Sequence, residues 1–355
     1  MFFTFPSSFL LYFVSTALAS ACNVPIPHGI PSWQSQNFSC AGPADIYVVR
    51  QSPGKGLGVF TTRTLEVGTF VMQEPPIILI HPPEFRDGVG YPLSGIGQQV
   101  RNAFNALSEA EQAEVLGLTA YYTASEKKAL DDVDELLPIF RSNAYNSGNQ
   151  IGLYPKIARI NHDCRPNTSY FWSARLGKLV VYASRRISEG EELSTSYIPL
   201  LHTHEDRRKR LRQYGFECSC NACALGEEER KMSDQRRTDI RQAFFDLNPH
   251  LTLSVPQSKA GKQRAQDRAI ASTHLVQIVQ EEELMDHYAQ AFRVAAICHA
   301  RVEDWQSATQ YAHESYQRYL MADAQSEETM EMQVLTGQFI ENWNEDLRAK
   351  SMRKS

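Results

Sequence analysis

Four cysteines are spaced so that their thiolates can bind one metal ion. Three of them, Cys218, Cys220 and Cys223, lie within a stretch of six residues. A tetrahedral zinc site takes four ligands, and this stretch supplies three. Cys164 is the candidate for the fourth, because it lies in a turn that Pro166 helps to fix. These residues predict a zinc ion that joins two parts of the chain.

Two polar motifs lie close to these cysteines. Residues 159–167 have the sequence Arg-Ile-Asn-His-Asp-Cys-Arg-Pro-Asn, which places Asn161 and His162 just before Cys164. Residues 190–197 have the sequence Gly-Glu-Glu-Leu-Ser-Thr-Ser-Tyr, an acidic turn that leads to Tyr197. Tyr197 taken alone is better explained as a core tyrosine at the end of an edge strand. With both motifs beside it, we expect Tyr197 to have a chemical role.

A glycine-rich turn lies upstream, between two predicted strands. Residues 53–58 have the sequence Pro-Gly-Lys-Gly-Leu-Gly. Glycine lets the backbone approach a ligand closely. No helix pattern follows, so the turn is neither a dinucleotide-binding nor a phosphate-binding loop. On its own the turn indicates a hairpin.

The order of these motifs resembles that of the SET-domain protein methyltransferases. Residues 161–167 are similar to the Asn-His-x-Cys-x-Pro-Asn motif of that family, and residues 190–197 to its Gly-Glu-Glu segment ending in tyrosine. Residues 218–223 resemble its post-SET Cys-x-Cys-x2-Cys, and residues 53–58 its Gly-x-Gly turn at the methyl donor. The chain is identified as a member of the split-SET type. It is similar to the SET-and-MYND group without the MYND finger, because no second cysteine cluster exists. Asp163 follows His162 at a position of the motif where serine is commoner in the family.

The resemblance implies a protein-lysine N-methyltransferase that uses S-adenosyl-L-methionine. The acceptor would be a lysine of a protein substrate, histone or non-histone. Tyr197 and Tyr214 are the implied catalytic residues, and Tyr214 would share an aromatic wall with Phe216. The residues implied in binding the methyl donor are Lys55, Gly56, Gly58, Asn143, Asn161, His162, Tyr197 and Phe216. The implied zinc ligands are Cys164, Cys218, Cys220 and Cys223.

Two other functions stay open. The first is a catalytically inactive SET scaffold that docks partners; the joint presence of Asn161, His162 and Tyr197 favours the enzyme. The second is a secreted glycoprotein, suggested by the apolar leader at residues 1–21 and by glycosylation sequons at Asn37 and Asn167. A glycan at Asn167 would sit on the metal-bearing turn, and reduced thiols are typical of the cytosol. Localisation therefore stays open between secretory entry and the nucleus or cytoplasm.

Composition limits the range of functions. The 355 residues carry a formal net charge of −5 with a pI near 6.1, which argues against direct sequence-specific nucleic-acid binding. Hydrophobic residues make up 42% of the chain, enough for a core in about two domains. The basic run at residues 207–212 is either a nuclear address or, more commonly, the solvated face of a helix. We expect a monomer.

The first 43 residues differ in character from the rest. Residues 1–21 are apolar and end in Ala-x-Ala, which predicts a signal peptide, although no basic residue precedes Arg50. Serine, threonine and proline interrupt the stretch, so we expect no transmembrane anchor. Residues 22–43 are expected to be irregular, with Cys22 and Cys40 able to pair if oxidised.

The remaining pattern predicts an α+β fold. We expect residues 44–200 to form a SET domain of short strands, with a helical insertion at about 98–140 and a loop over 81–97. The resemblance adds a pseudoknot, in which the segment ending at Tyr197 threads near the Asn161 turn. In the insertion, a capping box at Ser108 predicts a helix that ends at Gly117. A second predicted helix covers about residues 125–137 and is stopped by Pro138.

The last part of the chain has a helical pattern. We expect a post-SET zinc segment over residues 201–225 and an all-helical region over 226–350. Residues 248–262 are polar and contain proline, which predicts a linker. Apolar residues recur at helical spacing over 274–299, and a second helix follows. The two helices, about residues 273–322, are similar to one tetratricopeptide-like (TPR-like) hairpin.

Overall fold

The computed structural model describes residues 46–84, 93–123 and 135–352 of the chain. Within these ranges, short strands predominate in the first half and helices in the second. The predicted mixed fold with a helical C-terminal region is therefore confirmed. The predicted leader (1–21) and irregular segment (22–43) lie outside the described residues.

The strands form small sheets rather than one continuous sheet. Their bounds are β1 Tyr47–Ser52, β2 Gly56–Thr61, β3 Phe70–Glu74, β4 Ile78–Ile80, β5 Ala144–Ser147, β6 Gln150–Leu153, β7 Asn161–His162, β8 Thr168–Ser173, β9 Lys178–Ala183 and β10 Ser194–Thr195. Strands β1 and β2 form an antiparallel hairpin, and the neighbours in the three-stranded sheets β3-β9-β8 and β4-β6-β5 also pair antiparallel. Strands β7 and β10 pair in parallel.

One apolar core joins these sheets. Val59 of β2, Val71 of β3 and Val181 of β9 are each buried to 1% exposure or less and belong to a single cluster. The same cluster includes Ile157 and Ile160, which precede β7. The polar motif at residues 161–167 therefore leaves directly from the core, which fixes its position.

In the described part of the chain, three helices interrupt the strands: α1 (Leu93–Asn105), α2 (Glu109–Leu116) and α3 (Leu136–Asn143). The capping box at Ser108 and the helix end at Gly117 are confirmed. The predicted loop over residues 81–97 is wrong from residue 93 onward. Helix α1 forms there because Ile96 and Val100 pack into an apolar cluster with β4, which outweighs the low helix propensity of two glycines.

Pro138 does not stop a helix as predicted. It lies in the first turn of α3, where its missing N–H costs no intrahelical hydrogen bond. Residues 125–134 of the predicted second helix lie outside the described residues.

The later helices pack successively along the chain. Their bounds are α4 His204–Leu211, α5 Glu227–Leu247, α6 Lys259–Glu281, α7 Tyr288–Ala300, α8 Trp305–Ala322 and α9 Glu327–Met352. The predicted linker is shorter than expected, because α6 begins at Lys259. The helix predicted over residues 274–299 is interrupted between α6 and α7, where Glu283 takes a positive φ of 57°. The TPR-like assignment stays a prediction. Among the described residues, no helix has the length and apolarity needed to cross a membrane.

A buried ionic network joins the two halves. Arg237 of α5 is fully buried and donates to the Leu200 carbonyl at 2.7 Å and the Cys164 carbonyl at 3.1 Å. Its Nε also donates to Glu282 at 2.8 Å. Arg165, from the turn after β7, lies 3.2 Å from the same carboxylate. The helical region is thus bound to the turn that carries Cys164.

Candidate functional site

The parallel pairing of β7 with β10 brings the two polar motifs together. Asn161 pairs with Ser194, and His162 pairs with Thr195. The Thr195 carbonyl also accepts a hydrogen bond of 3.0 Å from the Asp163 amide. Tyr197 therefore follows a strand that lies directly beside Asn161 and His162.

The glycine-rich turn is tied to the same place through Glu192. The side-chain Nδ2 of Asn161 donates to the Leu57 carbonyl at 3.0 Å and to Glu192 Oε1 at 2.7 Å. The other Glu192 oxygen lies 3.0 Å from Lys55 Nζ. A Cβ at Gly58 would lie 2.5 Å from Glu192 Oε1, so a side chain at this position would displace the Glu192 carboxylate from Asn161. Gly56 has a φ of 77°, the left-handed region that favours glycine.

His162 is buried between Tyr197 and Cys164. Its Nδ1 accepts a hydrogen bond from the Tyr197 amide at 3.1 Å, and its Nε2 lies 3.4 Å from Cys164 Sγ. Burial lowers the pKa of His162 to about 4, so the ring is neutral at neutral pH. With Nδ1 as an acceptor, we assign the proton to Nε2, which then donates to the sulfur.

Tyr197 stands at the centre of an aromatic group. Its ring centroid lies 5.2 Å from that of Tyr214, 5.4 Å from His162 and 6.3 Å from Phe216. The Tyr197 hydroxyl donates to the Ile160 carbonyl at 2.8 Å, and burial raises its pKa well above the usual value. The Tyr214 hydroxyl donates to the Tyr197 carbonyl at 3.1 Å. The structure thus brings these three aromatic residues together around His162.

The four cysteines converge on one point. Their Sγ atoms all lie within 4.8 Å of one another, and those of Cys164 and Cys223 are 3.7 Å apart. Zinc–sulfur bonds of about 2.3 Å in a tetrahedron require sulfurs roughly 3.8 Å apart. The cluster can therefore hold a metal ion.

Arg207 provides an independent test of that fit. The residue is fully buried, and its Nε and Nη2 have no hydrogen-bond partner among the described residues. Burial opposes its charge, but the facing thiols of Cys164 and Cys223 raise its pKa. Four thiolates around a divalent ion carry a net charge of −2, which a buried guanidinium offsets. The prediction that residues 207–212 form a solvated face is therefore wrong at Arg207.

Asn143 lies apart from the contacts described so far. It ends α3, and its amide nitrogen donates to the Thr119 and Ile139 carbonyls, both at 2.8 Å. These bonds hold the helical insertion together. Its proposed contact with a methyl donor stays a prediction.

A cavity of about 800 Å³ lies between the strand-rich half and the helices. Tyr197 lines it together with Tyr170 and Tyr182 of β8 and β9. Asp286 and Tyr319 line it from the helical side.

A family model described as the SET domain matches residues 56–198. The chain contains a SET domain. The matched residues include the glycine-rich turn, β7, β10 and Tyr197, so the motif-based recognition is confirmed.

Named relatives agree with this assignment. The chain is 32% identical over 205 residues to the histone-lysine N-methyltransferase set5 of Schizosaccharomyces pombe, covering 57% of each chain. It is 32% identical over 144 residues to human histone-lysine N-methyltransferase SMYD3, covering 36% of this chain and 33% of that one. It is 25% identical over 233 residues to human N-lysine methyltransferase SMYD2, covering 61% and 53%. The chain thus spans between 33% and 57% of the length of these relatives.

Two residues near the site have contacts that were not predicted from the sequence. Glu192 joins the glycine turn to Asn161, and Arg207 faces the thiols. The acidic motif contained Glu192, but only the fold shows which of its two glutamates turns inward to Asn161. A basic run gives no signal that one of its arginines is buried.

Proposed function

We propose that this protein is an S-adenosylmethionine-dependent protein-lysine N-methyltransferase. The observation that carries the proposal is the β7–β10 pairing, which places Asn161, His162 and Tyr197 together within the SET domain. The relatives named above are lysine methyltransferases, which supports the same reaction class.

S-adenosylmethionine, when bound, supplies an electrophilic methyl group on a sulfonium. The glycine turn, with Lys55, Gly56 and Gly58, would hold it from one side. Because the side chains of Asn161 and His162 are already engaged within the protein, their backbone groups are the better candidates for contact. Asn143 and Phe216 complete the proposed binding set.

The aromatic group prepares the substrate lysine. An ordinary lysine has a pKa near 10.4 and is protonated at neutral pH, so it is not nucleophilic. A channel walled by Tyr197, Tyr214 and Phe216 disfavours the charged amine and raises the neutral fraction. Because the Tyr197 proton is committed to the Ile160 carbonyl, the hydroxyl oxygen can accept from the amine or the methyl group. Tyr197 would thereby align the two reactants.

Zinc is the proposed metal, since four thiolates in a tetrahedral arrangement are typical of structural zinc. Cys164 would connect it to the motif carrying Asn161, and residues 218–223 would connect it to Phe216. The proposed threading of the segment ending at Tyr197 past the Asn161 turn is supported by their parallel pairing.

The decisive experiment is transfer of a radiolabelled methyl group from S-adenosylmethionine to lysine in a histone mixture or a cell extract. We expect labelled protein with the native chain and none with boiled chain. Binding of S-adenosylmethionine without transfer to any protein would favour the alternative function, an inactive SET scaffold that docks partners.

A further inference from the structure

The 800 Å³ cavity carries one charge that the described residues leave without an ionic partner. Its lining includes three arginines and one aspartate, Asp286. Each arginine is paired with a carboxylate: Arg185 with Glu191 at 2.6 Å, Arg186 with Glu66 at 3.2 Å, and Arg318 with Glu314 at 2.8 Å. Burial lowers the pKa of His287, which also lines the cavity, to about 4, so it adds no positive charge at neutral pH. Asp286 is therefore the one cavity carboxylate without a cation beside it among the described residues, and burial raises its pKa, which a bound cation would oppose.

Asp286 is held in place by the SET domain. It lies between α6 and α7, is accessible to solvent, and accepts a hydrogen bond from the Ser169 hydroxyl of β8. Burial, followed by the Asp286 charge, raises the pKa of Tyr170 and Tyr182 to about 12. Both phenols therefore keep their protons and present neutral rings close to the carboxylate.

Asp286 is linked through the strands to the segment that carries Tyr197. Its partner Ser169 follows Thr168, whose hydroxyl donates to the Ser194 carbonyl of β10 at 2.8 Å. Tyr197 lies two residues after the end of β10, and both Tyr197 and Asp286 line the cavity. A peptide that reaches Tyr197 through this cavity therefore has Asp286 in the lining around it.

We propose that Asp286 binds the side-chain cation of an arginine or lysine within a few residues of the target lysine in the substrate. This inference rests on the proposed function, because only a methyltransferase has a substrate lysine. It adds the requirement that a positive charge lies near that lysine. A guanidinium there can bond to the carboxylate while its stem and plane rest on the rings of Tyr170 and Tyr182. Acidic sequences at the same place would face repulsion and be rejected.

The groove leaving the cavity supports a basic partner. A second cavity shares Asp286, Ala289 and Tyr319 with the first and is also lined by Glu327, Glu328 and Glu331. Arg293 neutralises Glu331 with contacts of 2.6 and 2.8 Å. Glu327 and Glu328 are exposed. A substrate chain continuing in this direction therefore meets further negative charge.

The test uses fluorescein-labelled nonapeptides of alanine and glycine with a central lysine. One arginine is moved through the other positions, and each peptide has a twin with neutral citrulline. Binding to the full chain is measured by anisotropy with S-adenosylhomocysteine present. At one offset we expect arginine to bind at least about tenfold more tightly than citrulline, the lower end of the effect of one charge-assisted hydrogen bond. Asp286→Asn should reduce this ratio below twofold, while Asp246→Asn, an exposed carboxylate on α5, should keep it.

A charge reversal separates recognition from stability. Asp286 precedes α7, so its replacement can weaken that helix start whatever it binds. Asp286→Lys should instead prefer glutamate over glutamine at the same offset, which a structural role would not produce. Equal binding of arginine and citrulline at every offset, or a preference that survives Asp286→Asn, would overturn the proposal. A chain that binds through Asp286 but transfers no methyl group would refute the methyltransferase instead, and leave the cation site standing.

Discussion

At the residue scale, a single substitution tests the role of the Tyr197 hydroxyl. We expect Tyr197→Phe to lower kcat on the order of a hundredfold, because the lost oxygen aligns the reactants in the transition state. The Kd for S-adenosylmethionine, measured by calorimetry, should stay within a few-fold. Tyr154→Phe, which removes the hydroxyl of a fully buried core tyrosine outside the proposed site, is the matched control. Normal turnover by the Tyr197 variant would leave this residue with a packing role only.

Arg207 offers a second test at this scale. Arg207→Met keeps the volume but removes the charge that faces the thiols, so we expect zinc affinity to fall about ten- to a hundredfold. The measurement is competition with a chromogenic chelator. Arg210→Met, at an exposed position of the same helix, should leave the affinity unchanged. Equal affinities in the two variants would contradict the role assigned to Arg207.

At the scale of elements, the cluster of four cysteines joins the loop of residues 214–223 to the turn after β7. A structural zinc site contributes on the order of 10 kcal/mol, comparable to the stability of a whole domain at about 5–15 kcal/mol. We expect one zinc per chain by elemental analysis. Cys220→Ser should weaken cofactor binding and activity, because the loop carries Tyr214 and Phe216, while hydrogen exchange in α6 to α9 stays unchanged. An active protein without zinc would refute this link. A Cys164→Ser variant that behaved unlike the loop cysteines would show a misassigned fourth ligand.

Glu74 controls another element, the turn before β7. Its buried carboxylate accepts hydrogen bonds of 2.9 to 3.1 Å from the Lys156 and Ile157 amides. Burial raises its pKa from 4.5 to about 7. The folded state therefore binds more protons than the unfolded state between these values, so this group makes stability fall as pH rises from about 4.5 to 7.

Glu74→Gln should remove that pH dependence. The difference in unfolding free energy between variant and wild type should shift in favour of the variant by roughly 2–3 kcal/mol between pH 4.5 and 7. Above pH 7 it should stay constant. Urea unfolding at several pH values measures this difference in unfolding free energy. Parallel plots of unfolding free energy against pH for the two proteins would argue against a raised pKa of Glu74.

The sequence predicted chemical groups better than helix boundaries. Asn161, His162 and Tyr197 were singled out by their resemblance to SET motifs, and the four cysteines by their type and spacing. The structure brings each of these two groups together. Helix α1 was missed at its start because packing of Ile96 and Val100 on β4 is a long-range contact. The burial of Arg207 depends on thiols that lie elsewhere in the chain, so no local pattern could indicate it.

At the scale of the whole molecule, the first residue of the proposed methyl-donor site is Lys55. A chain beginning at Ala44 should therefore bind S-adenosylmethionine as the full chain does, within about twofold. Calorimetry on both proteins, with circular dichroism to confirm folding, makes the comparison. Loss of binding by a folded shorter chain would place the first 43 residues in the site.

The buried Arg237 has a consequence for synthesis on the ribosome. The carbonyls of Cys164 and Leu200 emerge before Arg237, and its counter-ion Glu282 emerges 45 residues after it. Burying the guanidinium before that carboxylate is available would leave an uncompensated charge, which costs several kcal/mol. The helical region therefore closes onto the SET domain only after residue 282 has left the exit tunnel. Until then the nascent SET domain exposes the surface that the helices later cover.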